Sequence, residues 1–316
     1  MKKTQSLSQL LNIKHPIIMA PMFLVSNIEM LVAASKAGIT GCIPALNFRT
    51  IEEFEKALVE LKEKCEGPFG INLIVNKSNF LYKDQLASCC KHKVAYIITS
   101  LGSPEETINA ARKVGTKVFC DVTDLKYAKK VESLGADAVI AVNKEAGGHA
   151  GPTSYEELLP LLVENCNIPV ISAGGVGNHQ QLDKMINLGA AGVSVGSLFI
   201  ASNESGVSTD YKQACVDYTA KDIVMTTKLS GTPCSVIQTP YVKEIGTEQS
   251  FIEKILNKNK RLKKWFKAFT FYRGMKQLNK AAFGATYKTV WCAGPSIDHV
   301  TAIKPVAEIV KSLTNG

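Results

Sequence analysis

Glu145-Ala146-Gly147-Gly148-His149-Ala150-Gly151 is the stretch whose residue types could do chemistry. It follows Asp137–Val142 (DAVIAV), an apolar, β-branched run of strand length. Two adjacent glycines let the backbone approach a planar ligand. An imidazole at a strand end can hold or take a proton near neutral pH. Taken alone, the trio better suits a tight turn with an incidental histidine. Two later pairs alter that balance. Gly174-Gly175, directly after Ala173, and Gly196-Ser197 each close another apolar run. Such loops offer backbone N–H groups and one hydroxyl to a phosphate dianion.

A phosphate held there leaves the rest of its ligand lying across the ends of the other strands. Ala20, Met22, Asn72 and Gly148 would line that surface, and small residues suit a flat ring system better than a sugar. FMN meets this description, with His149 beside the reactive ring. The candidate cofactor-binding residues are therefore Ala20, Pro21, Met22, Asn72, Gly147, Gly148, Ala173, Gly174, Gly175, Gly196 and Ser197, and the candidate catalytic residue is His149. Asn72 interrupts an apolar run, so its amide needs a partner, as a turn anchor or a ligand contact. His15, His92, His179 and His299 read as surface or structural. No HxxxH or paired cysteines suggest a metal. Neither a GxxxxGK[ST] loop nor a GxGxxG after a first strand is present.

Eight apolar runs must position these groups: His15–Met22, Ile39–Leu46, Pro68–Val75, Val94–Thr99, Lys117–Val122, Asp137–Val142, Ile168–Ala173 and Ala191–Val195. Helical segments alternate with them. Asn27 reads as a cap for a helix through Lys36, Gly135 ends one begun at Leu125, and Ser154–Glu157 has capping-box spacing. Eight βα units predict an α/β fold, a (β/α)8 TIM barrel, with the glycine loops after strands seven and eight where barrels commonly hold phosphate. The barrel is expected from residues 1–201 and 291–316, closed by a helix over 297–313 packed against the first strand. Residues 202–290 form a helical insertion or lid.

Within that insertion, residues 243–280 carry eleven Lys or Arg against three Glu, nearly all of the +9 net charge. The basicity is local and does not argue for nucleic acid. Leu262, Trp265, Phe266, Phe269 and Tyr272 fall on one helical stripe. That stripe reads as a face covering the barrel mouth, or as a docking surface for an acidic partner or a membrane surface. No apolar run is long enough to span a membrane. The first sixteen residues lack the apolar core of a secretory signal. Nine scattered cysteines, never as CxxC, suit reduced thiols and a cytoplasmic location.

The segments PIIMAPM, FGINLIV, GADAVIAVNKEAGGHAG, IPVISAGGV, GAAGVSVGSLFIASNES and TTKLSGTPCSVIQTPYV together resemble the nitronate monooxygenase (2-nitropropane dioxygenase) family of FMN-dependent barrels. The family is related to the FMN-dependent enoyl-acyl-carrier-protein reductases. The resemblance implies oxidation of alkyl nitronates with O₂. His149 would act as the base that takes the proton alpha to a nitro group, or would orient the nitronate. Asn72, Gly148, Gly174, Gly175, Gly196 and Ser197 would contact FMN. The alternative within the class is an NAD(P)H-dependent reductase, of enoyl or quinone type; an acidic acyl carrier protein would then be a partner for the basic segment. A non-catalytic flavin or phosphate scaffold fits less well beside an intact GGH. A homodimer is left open. The chain departs from the family at Asn143, where glycine is common, and at Gly294-Pro295-Ser296, which replaces a glycine-glutamine pattern.

Overall fold

The computed structural model describes residues 5–76, 79–229, 232–248 and 290–315. Strands β1 (Ile17–Met19), β2 (Thr40–Pro44), β3 (Phe69–Ile74), β4 (Tyr96–Ser100), β5 (Lys117–Val122), β6 (Ala138–Val142), β8 (Val170–Ala173) and β9 (Gly192–Val195) all pair in parallel. β9 returns to β1 and closes an eight-stranded barrel. A two-residue strand, β7 (Gly148–His149), lies outside it.

The connecting helices are α2 (Ile28–Lys36), α3 (Ile51–Lys64), α4 (Tyr82–Lys91), α5 (Glu105–Arg112), α6 (Leu125–Leu134), α7 (Tyr155–Asn165) and α8 (His179–Asn187). Side-chain oxygens set four of their starts: Asn27, Thr50, Asp124 and Asn178 each accept the N–H three residues on. Ser154 does not follow suit. It precedes α7 in extended backbone but makes no capping hydrogen bond, so the capping-box spacing is not realised.

The period of two along each strand divides the core. Ile17, Met19, Ile71, Leu73, Ile97, Val118, Val139 and Val193 pack outward under the helices. Ile18, Tyr96, Ile98, Phe119, Ile140 and Ile171 fill the barrel interior. At the bottom, α1 (Leu7–Leu11) plugs the barrel with Leu7 and Leu11. Tyr96 stacks on Phe119 with centroids 5.0 Å apart, and it fits only because strand β3 carries Gly70 beside it. Two residues further up each strand, the interior positions become Ala20, Asn72, Ser100, Asp121, Val142, Ala173 and Ser194. This layer is small or polar, and it floors the mouth at the C-terminal ends of the strands, where a barrel places its chemistry.

Three features differ from the sequence expectation. The final helix covers only Val306–Thr314, because Pro305 confines it; Pro295–His299 is a separate 3₁₀ turn. That helix packs between α2 and α8 in the outer ring rather than on the first strand. The segment after β9 contains α9 (Ser197–Ile200), α10 (Thr209–Asp217) and α11 (Pro240–Ile245), but also strands β10 (Ile223–Thr226) and β11 (Cys234–Ile237). These strands form an antiparallel sheet in the order β10-β11-β7. The stripe from Leu262 to Tyr272, and most of the basic segment 243–280, lie outside the described residues.

Candidate active site

The GGH stretch is held by Asn143, a fully buried residue at the end of β6. Its Nδ2 donates to the Gly174 carbonyl at 3.1 Å, and its Oδ1 accepts the Glu145 N–H at 2.9 Å. Its backbone carbonyl accepts the N–H groups of Ala146 (3.3 Å) and Gly151 (3.2 Å). One side chain thus ties the β6 loop to the glycine loop after β8. The sequence marked Asn143 only as a departure from a glycine; a polar residue ending a run of small and apolar ones was the available signal.

The two central glycines differ in their reasons. A Cβ on Gly147 would lie 2.8 Å from the Gly294 nitrogen and 2.9 Å from Ser197 Oγ, so Gly147 is needed for packing against the closing segment. Gly148 has φ +73°, and a Cβ there would meet nothing within 4 Å. Its backbone faces open space at the mouth, as close approach of a ring requires.

His149 is placed by β11: Gly148 pairs with Ser235, and His149 pairs with Cys234. The residue is exposed to solvent, yet many protein atoms stand near its ring. That desolvation lowers its pKa below 6.5, so the imidazole is neutral at pH 7 and can accept a proton. Cys234 Sγ lies 3.7 Å from Cys292 Sγ; this contact and burial hold the Cys234 thiol well above its ordinary range.

The phosphate-type loops stand as neighbours after β8 and β9, which are paired strands. Gly174 and Gly175 both have positive φ (+108° and +80°), a turn only glycine makes without strain. A Cβ on Gly174 would strike Asn143 Oδ1 at 2.2 Å, so this glycine serves the join between loops. The N–H groups of Gly175 and Val176 donate to no protein group among the described residues. Gly196 ends β9, and α9 starts there without a side-chain cap. Ser197 is buried, and its Oγ accepts the Gly294 N–H at 2.8 Å, which leaves its own proton to donate. These free donors, one strand apart, fit a phosphate.

Beside the second loop, Ala20 donates its N–H to Val195 (2.8 Å), joining the ends of β1 and β9. A Cβ on Gly196 would sit in ordinary contact with Ala20 and the Met22 sulfur, both 3.6 Å away. Pro21 separates them on the β1 loop, and Ala173 ends β8 beneath Gly174. Asn72 is buried, with Nδ2 donating to the Ile98 carbonyl (3.2 Å) and to Ser100 Oγ (2.8 Å). Ser100 donates in turn to Asp121 Oδ2 at 2.5 Å. The sequence reading missed Ser100 and Asp121; a single Asp inside the apolar run KVFCDV was the signal. Of the other histidines, His179 Nδ1 lies 3.0 Å from the Leu313 carbonyl, and His299 packs against Gly177, two residues beyond Gly175 on the loop after β8.

A closed eight-stranded βα barrel with a histidine and two glycine loops at the C-terminal mouth has the architecture of a TIM-barrel enzyme, and its relatives make it an oxidoreductase. The nitronate monooxygenase family model matches residues 4–91 and 78–316, and the chain belongs to that family. A (3aS,4S,5R,7aS)-5-hydroxy-7a-methyl-1-oxo-octahydro-1H-indene-4-carboxyl-CoA dehydrogenase of Rhodococcus jostii is 30% identical over 274 residues, 86% of this chain and 74% of that one. A probable nitronate monooxygenase of Staphylococcus saprophyticus is 29% identical, covering 78% of this chain and 82% of its own. Among solved structures, FabK of Thermotoga maritima superposes with a TM-score of 0.84 at 30% identity, over 98% of this chain and 95% of its own. Nitroalkane oxidase of Streptomyces ansochromogenes (24% identity, TM-score 0.75, 97% and 96% covered) shares the fold. No helix among the described residues is long and apolar enough to cross a membrane.

Proposed function

We infer that this protein binds FMN and oxidises alkyl nitronates with O₂, with His149 as the base or nitro-orienting group. The observation that carries the reading is one mouth holding three things: a neutral imidazole, open backbone at Gly148, and free hydrogen-bond donors at two neighbouring glycine loops. The match to the nitronate monooxygenase family supports it.

Gly175, Val176, Gly196 and Ser197 would hold the phosphate by backbone N–H groups and one hydroxyl, with no cation needed. Ala20, Pro21, Met22 and Ala173 offer small or apolar contact to a ring. Asn72 and Gly148 flank it with an amide and a bare backbone. When bound, the flavin supplies the electron chemistry. His149 takes a proton from carbon only when the substrate is the neutral nitroalkane, since a nitronate has already lost it. Desolvation keeps the imidazole unprotonated for that task.

The likeness to FabK and to a CoA-substrate dehydrogenase favours a second reading, an NAD(P)H-dependent reductase on the same flavin barrel. Under it, an acidic acyl carrier protein is the partner suited to the basic segment 243–280. Nine free cysteines, six of them buried, suit a reducing cytoplasm. Anaerobic mixing separates the two readings. Bleaching of the flavin by an alkyl nitronate, but not by NADH or NADPH, is the expected result; rapid bleaching by either pyridine nucleotide supports the reductase.

A further inference from the structure

The mouth floor contains a carboxyl that the reaction above does not use. Asp121 lies on the interior face of β5, one layer above Phe119, at the end of a chain crossing three adjacent strands: Asn72 on β3, Ser100 on β4, Asp121 on β5. The directions along this chain are over-determined. The Ile98 carbonyl can only accept, so the Asn72 amide must present Nδ2 to it at 3.2 Å. The same nitrogen donates to Ser100 Oγ at 2.8 Å. Ser100 Oγ thus accepts from Asn72, and its single proton goes to Asp121 Oδ2 at 2.5 Å. With Nδ2 held on one side, Asn72 Oδ1 is left as an acceptor, and it has no partner among the described residues.

We propose that Asp121, acting through Ser100, is a positioning residue that strengthens Asn72 Oδ1 as a hydrogen-bond acceptor for a ring N–H of the cofactor. An amide that donates to an anion-terminated chain is a stronger acceptor at its own carbonyl, because bonds running in one direction polarise one another. Ionised Asp121 can only accept, so it enforces that direction. A protonated carboxyl can instead donate to Ser100; the Ile98 carbonyl still fixes the amide's orientation, but the chain no longer ends on an anion and Asn72 Oδ1 becomes a weaker acceptor. Oxidised flavin carries one ring N–H, at N3, so the partner is a single identifiable atom.

Burial raises the Asp121 pKa to about 6, partly offset by the Ser100 hydrogen bond. The carboxyl retains some accessible surface although protein surrounds it, as a floor group does. The other titratable groups near it are Cys42 on β2 and Cys120 beside it on β5, whose thiols are pushed up by burial and, less, by its charge, and Tyr96 deeper on β4, raised by burial. All three are neutral around pH 6. On β6 the interior neighbours are Ile140 and Val142, which carry no charge. Asp121 is therefore the group in this floor whose charge changes near pH 6.

The inference rests on FMN being the cofactor, and one experiment separates the two. The apoprotein is titrated with FMN and with N3-methyl-FMN, following flavin fluorescence, between about pH 5 and pH 8. The ratio of the two dissociation constants isolates the N–H, since the methyl group's bulk acts alike in every variant. For the wild type, a preference for FMN of about tenfold or more is expected at high pH, falling by at least about threefold as pH drops through the Asp121 pKa. Asp121→Asn keeps the shape of the side chain and should show a smaller preference with no pH dependence; Ser100→Ala should do the same. A wild-type ratio independent of pH, or an Asp121→Asn ratio that keeps the wild-type slope, overturns the inference while leaving FMN binding intact. A wild type that binds neither flavin removes the FMN reading, and this inference with it.

Discussion

His149 on β7 and Cys234 on β11 are register partners across an antiparallel pair, so the histidine is set by a strand far along the chain rather than by its own loop. Only two residue pairs join β7 to β11. The closing segment reinforces them: Val236 bridges Cys292, and Ile237 donates its N–H to the Trp291 carbonyl at 2.8 Å. Trp291 is fully buried and stacks on Tyr211 of α10 with centroids 5.4 Å apart. The insertion is thereby knitted to the mouth it borders.

The role of His149 is tested by comparing two substrates. If the imidazole takes a proton from carbon, His149→Asn should lower kcat/KM on a neutral nitroalkane by roughly 10²–10⁴-fold and leave most activity on the preformed nitronate. The active form is the neutral imidazole, which exists above its pKa. Desolvation lowers that pKa from 6.5, so wild-type kcat/KM on the nitroalkane should fall only as pH drops below that value. An equal loss on both substrates would show that His149 orients the nitro group instead.

Much of this arrangement was legible in the chain. All eight barrel strands show as apolar runs because each is buried on both faces, and the glycine loops stand at their ends where the sequence pattern placed them. The satellite sheet was not legible. Gly148–His149 is too short for any period to appear, and Cys234–Ile237 is buried throughout, so it shows no alternation. The Asn72–Ser100–Asp121 chain was hidden for another reason. Its members lie on three strands and meet only through barrel register, which no local pattern encodes.

Gly175 should bear on phosphate binding. Gly175→Asp would aim a carboxylate at a phosphate dianion, and FMN affinity is expected to fall by at least tenfold, about 1.4 kcal/mol. The control is Gly175→Ala. It carries the backbone strain of φ +80° and a contact 3.1 Å from Tyr155 Cδ1, but no charge. Equal losses in the two variants, measured by flavin retained after dialysis, would place the phosphate elsewhere.

A stability prediction concerns the barrel interior. A Cβ at position 70 would lie 2.2 Å from the Tyr96 ring, which is fully buried and cannot swing aside. Gly70→Ala should destabilise the protein by about 1–3 kcal/mol or more, read as a lowered unfolding midpoint. Tyr96→Phe keeps the ring but removes a hydroxyl lying 3.1 Å from both Thr40 Oγ1 and the Gly41 carbonyl. Its cost should be about 1–3 kcal/mol, because the Gly41 carbonyl loses a buried donor. If the crowding is real, combining the two should not add, since both act through the same ring.

The two glycines of the GGH stretch separate packing from approach. Gly147→Ala forces a methyl to within 3 Å of both the Gly294 nitrogen and Ser197 Oγ. It should displace the closing segment and break the 2.8 Å bond from Gly294 to Ser197. Because Ser197 is also a candidate phosphate donor, FMN affinity and thermal stability should drop together. Gly148→Ala meets nothing within 4 Å and carries only the cost of a left-handed backbone at φ +73°, roughly 1–2 kcal/mol. Its methyl would nevertheless project into the space a ring must share. The expected pattern is therefore a modest stability loss at Gly148 with a clear loss of flavin affinity, against losses in both at Gly147. Thermal unfolding of each apoprotein, set beside flavin titration, checks it. Were Gly148→Ala to bind FMN as the wild type does, the open backbone at Gly148 would not be the surface on which the ring rests.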